Sequence, residues 1–548
     1  MKTNFVLIAI LICTFASNSF SQTPGWQWGR NAIGNDYDQG DAAATDLNGN
    51  VIVAGYYASD TLIFANDTLI NSGIGNDEIY VAKYDSSGNV LWALSAGGSG
   101  DDKASAVATD ASGNIYVTGY YYSPAITFGT YTLTNAGVVG DIFIVKYDAQ
   151  GNVLWAKGEG GTALEIPYSI VVDGANNFIV TGRFSSSTIT FGTTTLTLAG
   201  ANDIFIVKYD AAGNVLWAKG AGSGSIDEGF SVGVDAINNV YVTGHFNQNC
   251  NFGPYVLTTA GQSDIFLAKY DASGNILWAK RFGGNGDDRA NALKVDANGN
   301  CYLAGFFKSI SVAFGADTLA SFFAAGVTNA LVFKTDSGGN ALWAQAVNGK
   351  STAYAIAITP NNVYTCGGFS DDSLNYGNYT LLYNGSSDFF LLHCDTSGNS
   401  KWTINQTSEG GSSESANAIA ADQWGNIFIA GEFGSHDPLV FGNDTLNPTD
   451  NSFDMFVARL GSIATEIHDL QNENETIIYP NPSNGKFILK SKANINAFRI
   501  YDVNGRVVME QFANQQIFQI DISELKSGIY FVQVQTKDGM SNAKIIKQ

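Results

Sequence analysis

Positive charge is scarce in this 548-residue sequence: 28 Lys plus Arg stand against 50 Asp plus Glu, for a formal net charge of −22. Nucleic-acid binding needs a basic footprint, and docking on anionic lipid needs a polybasic patch, so both are excluded as main activities. Cysteine is also sparse. Cys13, Cys250, Cys301, Cys366 and Cys394 form no CxxC pair and no Cys/His zinc spacing. Cys366 and Cys394 are expected on neighbouring strands, which allows a disulfide; buried free thiols are the other reading, and the preferred one. The four histidines, His245, His393, His436 and His468, never fall at ligand spacing with one another. HExxH and GxGxxG are both lacking.

Long apolar runs are missing too. The stretch Phe5–Phe15 follows Lys2 and precedes Ser19-Phe20-Ser21. A charged head, a short apolar core and small residues before Gln22 make a secretory signal peptide, expected over residues 1–21. That core is shorter than the ~20 residues a membrane helix needs, so no transmembrane segment is expected in the mature chain.

What the chain has is repetition. Trp28, Trp92, Trp155, Trp217, Trp278, Trp343 and Trp402 recur at nearly constant spacing, five of them inside Leu-Trp-Ala. A fixed long period signals a repeat architecture. One period holds four runs of strand length, seen at Ala104–Asp110, Asn114–Tyr121, Asp141–Asp148 and Asn152–Lys157 and called a, b, c and d below. The a–b and c–d joins, such as Asp110-Ala-Ser-Gly113-Asn114, are tight hairpin turns. Between b and c lies a repeated Phe-Gly pattern whose aromatic, at Phe64, Phe128, Phe191, Phe252, Phe314, Tyr376 and Phe441, is expected to anchor packing.

Four antiparallel strands per period predict an all-β, seven-bladed β-propeller over residues 22–460. The sequence starts on a lone d strand at Trp28 and stops after a c strand at Asp454–Leu460, so the N-terminal strand is expected to close the ring. A polar linker, 461–476, leads to residues 477–548, where Pro, Asn and Gly turns break alternating strands into a small C-terminal β-sandwich.

That last segment carries Tyr479-Pro480-Asn481-Pro482, Asp502-Val-Asn-Gly505-Arg506 and Leu525-Lys-Ser-Gly528-Ile-Tyr-Phe531, and ends on a basic strand. It resembles the type A C-terminal sorting domain of the type IX secretion system of Bacteroidetes. The resemblance implies the type IX machinery as a partner, passage across the outer membrane, and a secreted or surface-attached product. The propeller repeats resemble the bacterial beta-propeller repeat family, which implies no particular activity.

Chemistry-bearing strings are few. Gly349-Lys-Ser351 lacks the upstream glycine of a phosphate loop. Gly229-Phe-Ser231-Val-Gly233 matches a nucleophile elbow as a string, yet Ser231 falls mid-strand. Asp46-Leu-Asn48-Gly-Asn50 and Asp296-Ala-Asn298-Gly-Asn300 open like calcium loops but lack the glycine at position six and the closing Glu, so they read as turns. Asp-Thr-Leu or Asp-Ser-Leu recurs at Asp60, Asp67, Asp317, Asp372 and Asp444. It resembles the O-glycosylation signal of Bacteroidetes, with a structural origin at least as well supported.

The longer b–c and d–a connections share one face, which is assigned as the working face because function collects on long loops over a rigid scaffold. Two candidate sets lie there. Acids of the d–a connections, Asp101, Asp102, Asp227, Glu228, Asp287 and Asp288, could supply oxygen ligands for calcium; turn formation and solvation are the favoured alternative. The sixth connection departs from them with Lys350. After each strand-b glycine comes a pair of residues. The second is always aromatic and reads as core. The first varies through Tyr56, Tyr120, Arg183, His245, Phe306, Gly368 and Glu432, which suggests exposure. Of these, Tyr56, Tyr120, Arg183, His245 and Phe306 are the ligand-contact candidates. No catalytic constellation is evident. The reading is a binding or adhesion protein with a glycan or protein ligand. The alternatives are a polysaccharide lyase or hydrolase working through carboxylates on the long-loop face, and a structural spacer.

Overall fold

The computed structural model describes residues 24–461 and 476–547, apart from 74, 138, 316, 322–325, 384–386, 406–411, 435–436, 450–451, 503–504 and 538. The expected leader, nearly all of the expected linker, and His436 and His468 lie outside the described residues. The chain divides into two compact units, Met1–Leu460 and Gly461–Gln548. Among the described residues there is no helix.

The larger unit is built of four-stranded antiparallel sheets in the order a-b-c-d, the pattern of propeller blades. The second sheet is representative. Its strands Asp102–Thr109, Ile115–Tyr121, Asp141–Tyr147 and Val153–Glu159 fall within two residues of the runs read from the sequence. Strands b and c are buried on both faces, because each sheet is covered front and back by its neighbours. Ile52, Ala54, Ile79 and Val81 of the first sheet meet Ile115, Val117, Phe143 and Val145 of the second in one apolar cluster. Each of the Ile, Val and Phe side chains contributes roughly 1.5–3 kcal/mol on burial. At the chain's start, Trp26–Asn31 pairs antiparallel with Asp454–Leu460 and becomes the fourth strand of the last sheet.

The turn signals do what the residue types require. Asp110 Oδ1 accepts from the backbone N–H of Ser112 and Asn114, and Oδ2 accepts from the Asn114 side chain. The same wiring recurs at Asp46 and Asp296, the two strings that open like calcium loops. Their carboxylates are engaged in closing hairpins.

The repeated tryptophan is an inter-sheet latch. The Trp28, Trp92, Trp155, Trp217 and Trp343 indoles donate to a carbonyl in the c–d turn of the following sheet, at Ser86, Ala149, Ala211, Ala272 and Thr396. The strand-c lysines Lys83, Lys146, Lys208 and Lys334 reach the same turns. The turn glycine is fixed by this contact. Gly88 has φ of 81°, and an added Cβ would stand 2.8 Å from the Trp28 ring.

One expectation needs correction. The b–c surplus is a separate two-stranded hairpin, such as Ala125–Phe128 with Tyr131–Thr134. It packs against strand d of its own sheet and touches strand d of the preceding one. It therefore covers the outer strand edges, which would otherwise invite pairing with other chains, and adds little to the working face. The repeated aromatic is its anchor, with Phe64, Phe128, Phe191, Phe252, Phe314, Tyr376 and Phe441 all buried. The Asp of the Asp-Thr-Leu string has a structural task as well: Asp67 accepts from Ala93 N–H at 2.9 Å, and Asp444 from Gly29 N–H at 3.1 Å. The Lys350 departure is also resolved. Strand d of the fifth sheet and strand a of the sixth are one continuous strand, Ala341–Ile358. The four described cysteines, Cys250, Cys301, Cys366 and Cys394, are free and buried, so no disulfide joins Cys366 to Cys394.

The C-terminal unit is one five-stranded antiparallel sheet with its own core around Phe487, Phe498, Ile500, Phe518 and Val532. Two separate sheets were expected. Instead the long strand Lys486–Tyr501 shifts register near Ile495, exchanging Thr476–Tyr479 for Gly528–Thr536 as a partner. Register shifts bend strands, so one sheet serves both layers of the core.

Candidate functional site

The a strands line a cavity of ≈ 160 Å³. Each carries a bulge at the same step, and the extra residue is Asp41, Ser105, Tyr168, Phe230, Asn291, Tyr354 or Asn417. All seven line the cavity. A bulge re-aims one side chain out of the alternating pattern. Opposite each bulge stands the strand-b glycine. At Gly55, Gly119, Gly182, Gly244, Gly305 and Gly431 an added Cβ would collide with a strand-a carbonyl. The glycine is thus the sequence mark of the bulge, and the bulged residues themselves were not singled out by sequence. The nucleophile-elbow string resolves in the same way: Phe230 is the bulged residue, while Ser231 Oγ accepts from Leu293 N–H at 3.0 Å.

The residue pairs after the strand-b glycine divide as follows. Tyr57, Tyr121, Phe184, Phe246, Phe307, Phe369 and Phe433 are core. Tyr56, Tyr120, Arg183 and Phe306 are partly exposed at the long-connection end of strand b. His245 corrects the expectation of exposure. It is 2% exposed, stacked under Phe230 with centroids 5.2 Å apart, and its Nδ1 lies 3.9 Å from Glu228. Burial, reinforced by Arg289 and Arg183 against the pull of Asp287, holds its imidazole down at about 3.

Two arcs of polar side chains form around the cavity mouth. On the first, Tyr37 donates to Gln39 and to Glu432, and Tyr56 donates to Gln39 at 2.6 Å. Lys103 sits 3.7 Å from the Tyr56 ring centre and 2.7 Å from Asp77. Desolvation on burial, reinforced by Glu432 and Asp77 and opposed by Lys103, pushes the Asp41 carboxyl up to about 7. Tyr120 stands edge-on to Tyr122 nearby.

The second arc gathers four of the sequence candidates, Arg183, Glu228, Asp287 and Phe306. Arg183 pairs with Glu228 at 3.1 Å, and Tyr168 packs edge-on against Phe230 at 5.0 Å. Arg289 and Lys308 both bind Asp287, at 2.8 and 3.0 Å, and both lie over the Phe306 ring. Burial pushes Asp287 up, but hydrogen bonds from Arg289, Ser263 and Lys308 outweigh it and hold the carboxyl at about 2.

The six calcium candidates play different parts. Asp102, Asp227 and Asp288 are buried staples that bond Ser123, Asn247 and Ser309 just after strand b. Glu228 and Asp287 pair with arginine, and Asp101 accepts from the backbone of Asp77 at 3.2 Å. Among the described residues, no group of three or more His, Cys, Asp or Glu is placed to hold a metal ion.

In the C-terminal unit, Asn481 bridges to the last strand, donating to Lys544 O at 2.6 Å and accepting from Ile546 N–H at 2.9 Å. Asp502 closes the turn to Gly505 and Arg506, whose residues Val503 and Asn504 lie outside the described set. Gly528 opens the strand that pairs with the basic terminus, and Pro480 and Pro482 flank Asn481 at the sheet's entry.

Comparison with known proteins adds the following. Residues 477–548 match the secretion system C-terminal sorting domain, and residues 91–120 match a beta-propeller repeat. An uncharacterized WD repeat-containing protein of Acanthamoeba polyphaga mimivirus is 26% identical over 531 residues, covering 78% of this chain. The chain spans only 38% of that relative's length. PorZ, a surface component of the type IX secretion system of Porphyromonas gingivalis, aligns over 95% of this chain and all of its own, at 12% identity and a TM-score of 0.18. A Synechocystis apocarotenoid oxygenase mutant aligns over 79% of this chain and 97% of its own, at 11% identity and a TM-score of 0.32. Among the described residues, no helix is long and apolar enough to cross a membrane. The sorting-domain match directs the chain to the type IX secretion system, as a secreted or outer-membrane surface-attached protein. The chain thus carries the C-terminal sorting domain of the type IX secretion system over residues 477–548 and a beta-propeller repeat over residues 91–120.

Proposed function

We propose that the mature protein is a seven-bladed propeller closed by its N-terminal strand, displayed at or released from the cell surface, and binding a glycan or protein ligand over the channel mouth. In this reading residues 1–21 are the leader, 22–460 the propeller, 461–476 the linker and 477–548 the exported tail. One observation carries it. On a scaffold whose other positions repeat, seven bulges turn seven side chains of differing chemistry into one cavity, Tyr168, Phe230 and Tyr354 among them. Aromatics beside charged and amide groups are what saccharide and peptide ligands need, since flat rings stack while polar groups fix orientation.

The test is retention of the full chain on a panel of polysaccharides and peptides, with calcium and with chelator, against Phe230→Ala and Tyr354→Ala. Retention lost in both variants supports the channel. Retention unchanged in both removes it.

A second reading, a carboxylate-dependent hydrolase or lyase, has one observation on its side: Asp41 lines the cavity with its carboxyl pushed up to about 7, where a general acid works. Released oligosaccharide that disappears in Asp41→Asn would decide for the enzyme.

A further inference from the structure

On the second arc of the mouth the cations are more exposed than the carboxylates they pair with. Asp287 is the shared partner of two cations, and its side chain is 11% exposed. Arg289 and Lys308 around it are 34% and 32% exposed. What solvent meets there is therefore guanidinium and ammonium, with the carboxylate beneath. Arg183 likewise overlies Glu228, at 19% against 12%. His245 adds a buried imidazole whose Nδ1 has no hydrogen-bond partner. The aromatic faces Phe230 and Phe306 lie in the same arc and stay partly exposed.

A guanidinium binds carboxylate through a planar, charge-assisted fork, and a second anion beside Asp287 would complete the pairing of Arg289 and Lys308. The opposite arc, with Asp41, Asp77 and Glu432 against Lys103, repels a carboxylate and suits hydroxyl groups. The mouth is thus polar in one direction, cationic and aromatic on one side, acidic and tyrosine-rich on the other.

Resting on the binding reading above, we propose that the mouth recognises a uronate-bearing polysaccharide, its carboxylate directed to Arg183, Arg289 and Lys308 and its sugar ring stacked on Phe230.

The test uses the full chain with polygalacturonate, alginate and hyaluronate, each beside its carboxyl-reduced, neutral product. The expected result is binding of at least one acidic polymer, weakened about tenfold or more by carboxyl reduction, the loss of one charge-assisted contact. Added salt weakens the acidic complex further. Arg289→Met with Lys308→Met reproduces the loss. The carboxyl-reduction arm leaves the protein unaltered and is therefore independent of any folding defect in the variant. Equal binding of acidic and reduced polymer, with both lost in Phe230→Ala, overturns the carboxylate inference and leaves the channel reading standing. No binding of any of the three acidic polymers overturns the inference, and the wider panel then judges the channel separately.

Discussion

The indole Nε1–H of Trp92 donates to the carbonyl oxygen of Ala149, 3.3 Å away in the next sheet, and Lys83 reaches the same oxygen at 3.2 Å. The repeat that makes the sequence legible is therefore also the joint between successive sheets. Trp92→Phe keeps an aromatic ring but removes the donor and part of the indole's packing, and should cost about 1 kcal/mol or more in urea unfolding. Trp28→Phe should cost a similar amount, because Trp28 bonds Ser86 in the same way from the N-terminal strand. No loss in Trp28→Phe would mean that the N-terminal strand is not seated.

Lys83 and Asp46 form an ion pair at 2.9 Å, with side chains 3% and 1% exposed. Removing one partner of such a pair strands a buried charge, at roughly 3–5 kcal/mol. Lys83→Met should show a loss of this order by denaturant titration. Lys83→Met with Asp46→Ser should recover part of it, since the stranded charge is gone while the serine can still cap the turn. Failure of the double variant to recover would place the cost in packing.

Asp41 gives a signed pH dependence. Its carboxyl is pushed from the usual 3.8 up to about 7 in the folded state, so between those values the folded protein holds a proton that the unfolded chain has released. Stability supplied by this group falls as pH rises through that window. The melting temperature of the wild type relative to Asp41→Asn should decline from pH 4 to pH 7 and level off above. A flat difference would show that Asp41 is not crowded in this way.

Deleting residues 477–548, the sorting-domain match, should leave the remainder inside the cell envelope, with none at the surface or in the medium. Fractionation and surface proteolysis read this out. Surface delivery of the truncated chain would remove the export assignment.

The strands were legible because Val, Ile and Tyr runs between Asp-x-x-Gly-Asn turns leave one local answer, and because the tryptophan period sets their phase. The site was less legible. Variation at the residue after the strand-b glycine suggested exposure, which Tyr56, Arg183 and Phe306 have in part, while His245 lies buried under Phe230. The glycine itself was the better signal. It stands where a bulged neighbour comes too close for any side chain, and counting across from it leads to Asp41, Phe230 and Tyr354. The arcs around the mouth could not be read at all. Arg289 meets Phe306 and His245 from separate strands, and only the sheet register brings them together.

Trp26–Asn31 finds its hydrogen-bond partner more than four hundred residues downstream, at Asp454–Leu460. Contacts that distant in sequence form slowly, since a long loop must close before they gain anything. Without Trp26–Asn31 the last sheet has only three strands, and Asp454–Leu460 becomes an open edge on which another strand could pair.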